Sequence, residues 1–127
     1  MEKIKKIILD TNFIMAVPQF KIDIFSEIER IANFPYQLCI LDKTTEELEN
    51  IIKKQKGRQK EAAKLCLALL NHKKLKAIKT EKNADEALLE LSKDSIIATQ
   101  DQLLARRIKE SSGKTIALRQ KKYLVFR

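Results

Sequence analysis

The fold is decided by a stretch near the start of the chain, Lys3-Ile4-Lys5-Lys6-Ile7-Ile8-Leu9-Asp10-Thr11-Asn12. Its Ile-rich apolar run predicts a strand over residues 3–9 that is buried on both faces of a parallel sheet. Polar residues from Asp10 onward end this strand. Because binding sites on parallel sheets lie beyond the carboxyl ends of the strands, we expect Asp10 to stand at a functional edge.

Strand and helix patterns alternate along the rest of the chain. Further strands are predicted at residues 36–41, 75–79, 95–99 and 115–118, with a short extended piece at 123–126. Helices are predicted at 22–33, after Asp42 as a cap, at 58–74, after Asn83 as a cap, and at 102–111. The alternation predicts an α/β fold, with a mostly parallel five-stranded sheet and helices on both faces, and residues 1–127 as one domain.

Two local expectations concern the helices. The apolar segment from Phe13 to Val17 is expected to stop at Pro18. The helix over 58–74 is expected to bury a single stripe, Ala62, Leu65, Cys66, Leu69 and Leu70.

Composition restricts the class of protein. The 127 residues are 44% hydrophobic and 34% charged, with only 2 Gly and 2 Pro, which excludes collagen-like, low-complexity and disulfide-scaffold chains. Cys39 and Cys66 lie in apolar runs and are interpreted as buried thiols rather than a disulfide. The first apolar run is too short for a signal peptide or a membrane span, so we expect a cytoplasmic protein with no membrane partner.

Acidic residues follow each of the first four strands. Asp10 follows the first strand, Glu47 lies in the helix after the second, Asp85 in the helix after the third, and Asp101 just after the fourth. At about 100° per residue, Glu47 borders the apolar stripe of its helix, Glu46 points to the opposite side, and Glu49 falls in between, only slightly worse placed than Glu47. If the first and fourth strands are neighbours, these four acids converge on one edge of the sheet.

Each acid has a simpler interpretation when it is taken alone. Asp is common at helix N-termini, so Asp10, Asp85 and Asp101 fit helix caps, and Glu47 fits a surface acid. Converging carboxylates repel one another, however, and a divalent cation relieves that repulsion. Oxygen ligands without nearby His or Cys favour Mg²⁺ or Mn²⁺, and such a cluster suits phosphodiester hydrolysis.

The basic surplus fits a polyanionic substrate. The 26 Lys and Arg against 17 Asp and Glu give a formal net charge of +9. A run of basic residues at a Gly-broken helix junction and a basic pair in a later helix are candidate contacts to the phosphates of such a substrate, although charge runs are usually solvated faces. These candidates are Lys53, Lys54, Lys56, Arg58, Lys60, Arg106 and Arg107.

Four short motifs resemble those of PIN-domain nucleases. They are Ile7-Ile8-Leu9-Asp10-Thr11-Asn12, Glu46-Glu47-Leu48, Ala84-Asp85-Glu86-Ala87 and Ile97-Ala98-Thr99-Gln100-Asp101. The order and spacing cover essentially the full length of the chain. The fourth motif departs from the family pattern, because Gln100 stands where Asn is common.

The resemblance implies a three-layer sandwich that cleaves single-stranded RNA with Mg²⁺ or Mn²⁺ and often forms dimers. It implies Asp10, Glu47, Asp85 and Asp101 as catalytic metal ligands, with Thr11, Asn12 and Thr99 in supporting positions. The C-terminal stretch looks most like archaeal PIN proteins near the rRNA-processing branch, and the VapC toxin nucleases, which pair with an antitoxin, are the neighbouring branch. A non-catalytic RNA-binding or assembly module with the same fold is the other alternative. A P-loop enzyme is disfavoured, since only Gly57 and Gly113 are available.

Overall fold

The computed structural model describes residues 3–127 and contains a mixed sheet with helices on both faces. The strands are β1 (Lys5–Leu9), β2 (Tyr36–Leu41), β3 (Lys76–Ile78), β4 (Ile96–Ala98), β5 (Thr115–Arg119) and β6 (Tyr123–Phe126). The helices are α1 (Thr11–Ile14), α2 (Ala16–Phe20), α3 (Ile24–Ile31), α4 (Asp42–Lys54), α5 (Arg58–Lys73), α6 (Ala84–Leu91) and α7 (Gln102–Glu110).

The strand order is β3-β2-β1-β4-β5-β6, and β1 to β5 are parallel. From β1 the chain first builds the sheet outward to β2 and β3. It then returns to place β4 on the other side of β1, with Leu9 opposite Ala98. The order therefore reverses between β1 and β4, which is where parallel sheets open a crevice at their carboxyl edge.

Two apolar clusters cover the two faces of the sheet. Alternate residues of β1 point to opposite faces, so Ile7 and Leu9 join one cluster and Ile8 joins the other. Helices α1 to α5 pack over the first face, and α6 and α7 pack over the second. The three layers confirm the predicted α/β class with helices on both faces.

The sheet has six strands rather than five. β6 pairs antiparallel with β5 after a tight turn in which the Lys122 N–H donates to the Arg119 carbonyl, 3.0 Å away. Gln120 and Lys121 have φ of 52° and 56° in this turn. Such a turn usually contains Gly, Asn or Asp. Because Gln120 and Lys121 stand there instead, the sequence lacks the residues that normally indicate a hairpin.

Several predicted helix positions are wrong in detail. The segment around Pro18 continues as α2, because Pro18 lies in the first turn, where its missing N–H is not needed. Asp42 does not cap α4. β2 runs directly into that helix, so Leu41 takes the extended cap position and Asp42 becomes the first helical residue.

Helix α5 does not bury the single stripe that its sequence suggested. Ala63, Cys66 and Leu70 face the core, whereas Leu65 is 46% exposed. Cys39 and Cys66 are both buried free thiols, as predicted. Over residues 3–127, no helix is long and apolar enough to cross a membrane.

Candidate active site

Asp10 stands at the point where the strand order reverses. Its backbone N–H donates to the Ala98 carbonyl at 2.9 Å, which ties the end of β1 to the end of β4. Its carboxylate caps α1, where Oδ1 accepts the Thr11 N–H at 2.9 Å. The second oxygen, Oδ2, accepts the Thr99 hydroxyl at 2.8 Å. Asp10 is thus held by the end of β4 and by the start of α1, and each of its oxygens keeps a free lone pair.

The loop after β4 is joined to α1 by Gln100, the residue that departs from the family pattern. The Gln100 N–H donates to Asn12 Oδ1 at 3.0 Å, and the Gln100 side-chain amide donates to the Asn12 carbonyl at 2.8 Å. Asp101 follows, and its Oδ1 accepts the N–H groups of Leu103 and Leu104 as the cap of α7. Gln100 therefore fixes the spacing between the start of α1, which Asp10 caps, and the loop that carries Asp101.

Glu47 and Asp85 face the same opening from the neighbouring elements. Both line a groove of about 1090 Å³, together with Asp10 and Asp101. Glu46 and Glu49 of the same helix do not line this groove. Asp85 lies in the first turn of α6, but Asn83 supplies the cap of that helix by accepting the Glu86 N–H. The structure therefore brings the four predicted acids to one groove.

The pKa values reflect this crowding. Burial raises the pKa of the Asp10 carboxyl above its ordinary value of 3.8, hydrogen bonds from Thr99 and Thr11 oppose the rise, and the charges of Asp85 and Asp101 add to it. Burial also raises the pKa of Glu47, and the charge of Asp10 adds to that rise. Burial and the neighbouring carboxylates thus both disfavour the charged form of Asp10 and of Glu47.

The three supporting residues take different positions. Thr99 orients the Asp10 carboxylate, and its oxygen also accepts the Asp101 N–H at 3.1 Å. Thr11 is buried, and its hydroxyl donates to the Thr44 hydroxyl at 3.1 Å. The Asn12 side chain is engaged with Gln100.

The basic residues that were predicted to bind RNA are not all near the acids. Arg58, at the start of α5, lines the groove. The other six candidates do not line the groove. Lys53 and Lys54 end α4, Lys56 lies in the following loop, Lys60 lies on α5, and Arg106 and Arg107 lie on α7. Lys21, which sequence reasoning missed because no motif marks it, also lines the groove.

The donor set fits a hard divalent cation. The groove offers carboxylate, hydroxyl and amide oxygens and contains no His or Cys among the described residues. Within residues 3–127, no three acidic, His or Cys side chains are close enough together to form a ready-made ligand set. The fit therefore rests on the chemistry of the donor atoms and not on a preformed ligand geometry.

Comparison with known proteins defines the class that this fold and groove belong to. Residues 7–121 match the family described as "PIN like domain". The chain therefore belongs to the PIN-domain nuclease family, and the resemblance seen in the motifs is confirmed.

Particular relatives are found among archaeal proteins. The chain is 39% identical over 123 residues to "Ribonuclease VapC4" of Methanocaldococcus jannaschii, which covers 93% of each protein. It is 28% identical over 110 residues to "Ribonuclease VapC9" of Archaeoglobus fulgidus, covering 85% of this chain and 78% of the relative. In three dimensions the chain resembles the PIN domain endonuclease Utp24, with a TM-score of 0.76 and 23% identity over 95% of this chain and 90% of that one.

Proposed function

We propose that this protein is a divalent-metal-dependent endoribonuclease. The observation that carries the proposal is the convergence of Asp10, Glu47, Asp85 and Asp101 on one groove at the carboxyl edge of the sheet. Carboxylates gathered in one groove repel one another, and a divalent cation held by them relieves that repulsion and suits phosphodiester hydrolysis. Similarity to a ribonuclease over 93% of the chain supports RNA as the substrate.

The ion is proposed to be Mg²⁺ or Mn²⁺, which supplies an activated water and neutralises charge on the departing oxygen when it is bound. Asp10 and Asp101, which follow the adjacent strands β1 and β4, are the proposed direct ligands, with Glu47 and Asp85 as direct or water-mediated ones. The Thr99 hydroxyl fixes the orientation of the Asp10 carboxylate through its 2.8 Å hydrogen bond. Arg58 at the rim is placed to contact a backbone phosphate.

Cleavage of a labelled single-stranded RNA in Mn²⁺ tests the proposal. We expect Asp10→Asn to lower the cleavage rate by on the order of a hundredfold or more, because outer-shell substitutions alone already cost about 10- to 100-fold. Glu46→Gln is the matched control: it also removes an acid from α4 but lies outside the groove, so it should cleave like the wild type. Equal cleavage by Asp10→Asn and the wild type would refute the role of Asp10.

Metal binding distinguishes the proposed enzyme from a non-catalytic RNA-binding module. Titration calorimetry with Mn²⁺ should give heat for the wild type and none for the Asp10→Asn variant. Tight RNA binding without Mn²⁺ binding or cleavage would favour the module.

The second candidate is a toxin ribonuclease of the VapC type, favoured by the two VapC-named relatives. Expression of such a toxin should arrest growth, and co-expression of the product of a neighbouring gene should relieve the arrest. Harmless expression of an active nuclease would instead favour a processing role, for which rRNA stays the predicted substrate.

A further inference from the structure

The groove itself contains few positive charges. Among the described residues, Lys21 and Arg58 are the basic ones that line it. Five acidic residues line the same groove: Asp10, Glu47, Glu61, Asp85 and Asp101. An RNA strand carries a negative charge on every phosphate, and contacts between phosphates and basic residues supply most of its sequence-independent binding energy. Most of those contacts must therefore lie outside the groove.

Lysines surround the outermost parallel strand, β3. Residues 73–79 contain four of them and no acid: Lys73, Lys74, Lys76 and Lys79. All four are exposed to solvent, and β3 pairs only with β2, so its other side is an open edge of the sheet. The three ion pairs within residues 3–127 hold Glu27, Glu61 and Glu90, and none of them includes these four lysines. Their charges are therefore available to a ligand from outside the protein.

Three of these lysines meet at a hollow where β3 begins. Lys73, Lys74 and Lys76 line this hollow of about 370 Å³, together with a single acid, Glu29. The Lys73 ammonium lies 5.0 Å from the centre of the Phe25 ring, and the attraction between them favours that position of the lysine. The hollow thus gathers more cations than acids in a small space, as the binding of a phosphate requires.

Neighbouring elements add one basic and one acidic residue to this cluster. Burial raises the pKa of the Cys39 thiol on β2, and the charges of Lys6 and Lys76 oppose that rise, so Lys6 of β1 acts on the same region as Lys76. Hydrogen bonds from the first turn of α3 lower the pKa of Asp23, and the charge of Lys73 adds to that effect. Lysines still outnumber acids around the start of β3.

The lysines also lead toward the acids of the groove. Lys76 is the first residue of β3, and Lys79 directly follows the last one, about 10 Å further along the strand direction. Between Lys79 and Asp85 the chain has one acid, Glu81, and one further lysine, Lys82, which is held in an ion pair. A row of cations thus runs along the open edge, from the amino end of the sheet to the carboxyl end where Asp85 lies.

Lysines at a sheet edge have a simpler role, because they keep an exposed strand from pairing with another chain. Only Lys76 lies within β3, however, and the other three lysines flank the strand. At the opposite edge, Glu27 and Arg30 of α3 occupy backbone groups of β6. Edge protection thus accounts for one lysine of the four, whereas a polyanionic ligand accounts for the whole set.

We propose that Lys74, Lys76 and Lys79, with Lys73 and Lys6 beside them, form a track that binds the phosphates of an RNA strand on one side of the cleaved bond. The proposal rests on the proposed ribonuclease function, which makes RNA the polyanion. It extends the bound substrate well beyond the groove.

The length of the sheet sets the length of RNA that can use the track. From Lys5 to Asp10 the chain rises about 16 Å, which is the height of the sheet between its two ends. At about 3.4 Å per nucleotide in a stacked strand, roughly five nucleotides separate the acids from the start of the track. A longer RNA therefore gains the lysine contacts, and a shorter one does not.

The test measures RNA binding against salt for a track variant that combines Lys74→Gln, Lys76→Gln and Lys79→Gln. Binding is followed by fluorescence anisotropy with Mg²⁺ in an Asp10→Asn parent, which prevents cleavage. Two oligouridylates are compared, one of about 4 nucleotides, too short to reach from the groove to Lys76, and one of about 16.

The expected effect follows from the number of lost phosphate contacts. Each contact contributes about 0.7 to the slope of log affinity against log salt for a single strand, so the track variant should lose about 2 for the long oligomer. The affinity ratio of parent to track variant should therefore fall about 16-fold when salt is raised about fourfold. The affinity for the short oligomer should be the same in both proteins.

A matched control variant combines Lys93→Gln, Lys109→Gln and Lys114→Gln. It removes the same charge from exposed positions on the other side of β1, next to α6, α7 and β5. The control should lower the slope by less than about one. Thermal denaturation checks that each variant is folded, and size-exclusion chromatography reports any self-association.

The outcomes separate this inference from the proposed function. Equal slopes for the track variant and its parent would refute the track, while cleavage by the wild type and not by Asp10→Asn would still support the nuclease. Equal loss of slope in the track and control variants would also refute the track, since that result reports net charge alone. Self-association of the track variant with unchanged RNA binding would assign the lysines to edge protection and overturn the inference. If the wild type cleaves no RNA but the track variant alone loses slope, the nuclease proposal fails and the track stands.

Discussion

Replacing Asp10 by Asn should abolish metal binding while leaving the fold almost as stable. Asn caps helices as well as Asp does, so the 2.9 Å bond from the Thr11 N–H to Oδ1 is retained. At the other oxygen, Oδ2, the 2.8 Å hydrogen bond that Thr99 donates would reverse its direction. The new amide would donate to the Thr99 oxygen, and the Thr99 hydroxyl would turn to Asn12 Oδ1, which already lies 3.4 Å away.

The expected energy change follows from these contacts. A hydrogen bond to a charged group contributes about 1.5–3 kcal/mol and a neutral one about 0.5–1.5 kcal/mol, so the exchange costs about 1 kcal/mol. Removing a buried charge that faces Asp85 and Asp101 acts in the opposite direction. The free energy of unfolding without metal should therefore stay within about 1 kcal/mol of the wild type, or roughly 4 °C in Tm.

The contrast appears when metal is added. At about 100 times its Kd, a ligand that binds only the folded state raises the free energy of unfolding by about 2.7 kcal/mol, which is roughly 10 °C here. Thermal melts with and without Mn²⁺ should show this shift for the wild type and for Glu46→Gln, but not for Asp10→Asn. The reasoning is refuted if Asp10→Asn shows the full Mn²⁺ shift, or if it melts more than about 10 °C lower without metal.

Three further predictions concern other parts of the molecule. Leu48→Ala, at a fully buried position of α4, should lower the free energy of unfolding by about 2–5 kcal/mol in urea titrations; a loss below about 1 kcal/mol would contradict its core role. Glu27 accepts the Leu124 N–H at 2.9 Å and pairs with Arg30, whose hydrogen bond lowers the pKa of Glu27 below its ordinary 4.5. This contribution is present above the unfolded-state pKa and is lost as the pH falls through the folded-state pKa. Glu27→Gln should therefore be less stable than the wild type at neutral pH, and the difference in Tm should shrink as the pH is lowered. A difference that stays constant from neutral to acid pH would be inconsistent with this reasoning. Arg58→Gln should lower the slope of log affinity against log salt by about one in RNA-binding titrations. Lys54→Gln, outside the groove, should change this slope less. Equal effects of the two substitutions would contradict a phosphate contact specific to Arg58.

The Glu27 contacts also protect an open edge of the sheet. The N–H of Leu124 donates to Glu27, and the Leu124 carbonyl accepts from Arg30 at 3.1 Å. Two side chains of α3 thus occupy backbone groups of β6 that would otherwise be free to pair with another strand. No sequence pattern indicates this contact, because its partners are 94 and 97 residues apart.

The sequence by itself determined the layers of the fold and the position of the acids along the chain. Ile-rich runs such as Ile7 to Leu9 can be buried only between two layers of helices, and alternation of strands and helices forces parallel pairing. An acid after a parallel strand must lie at the carboxyl edge, so Asp10 and Asp101 were predictable there. The choice of Glu47 over Glu46 followed from helical geometry alone.

Only the tertiary structure decided which of these residues line the same groove. Strand order is a long-range property, and the pairing of β1 with β4 is what brings Asp10 beside Thr99 and Asp101. The same holds for α5, whose sequence carries apolar residues on two faces. Helical periodicity cannot tell which face meets the core, and only the packing of α5 on the sheet buries Cys66 and leaves Leu65 in the groove, since burial is set by neighbours that are distant along the chain.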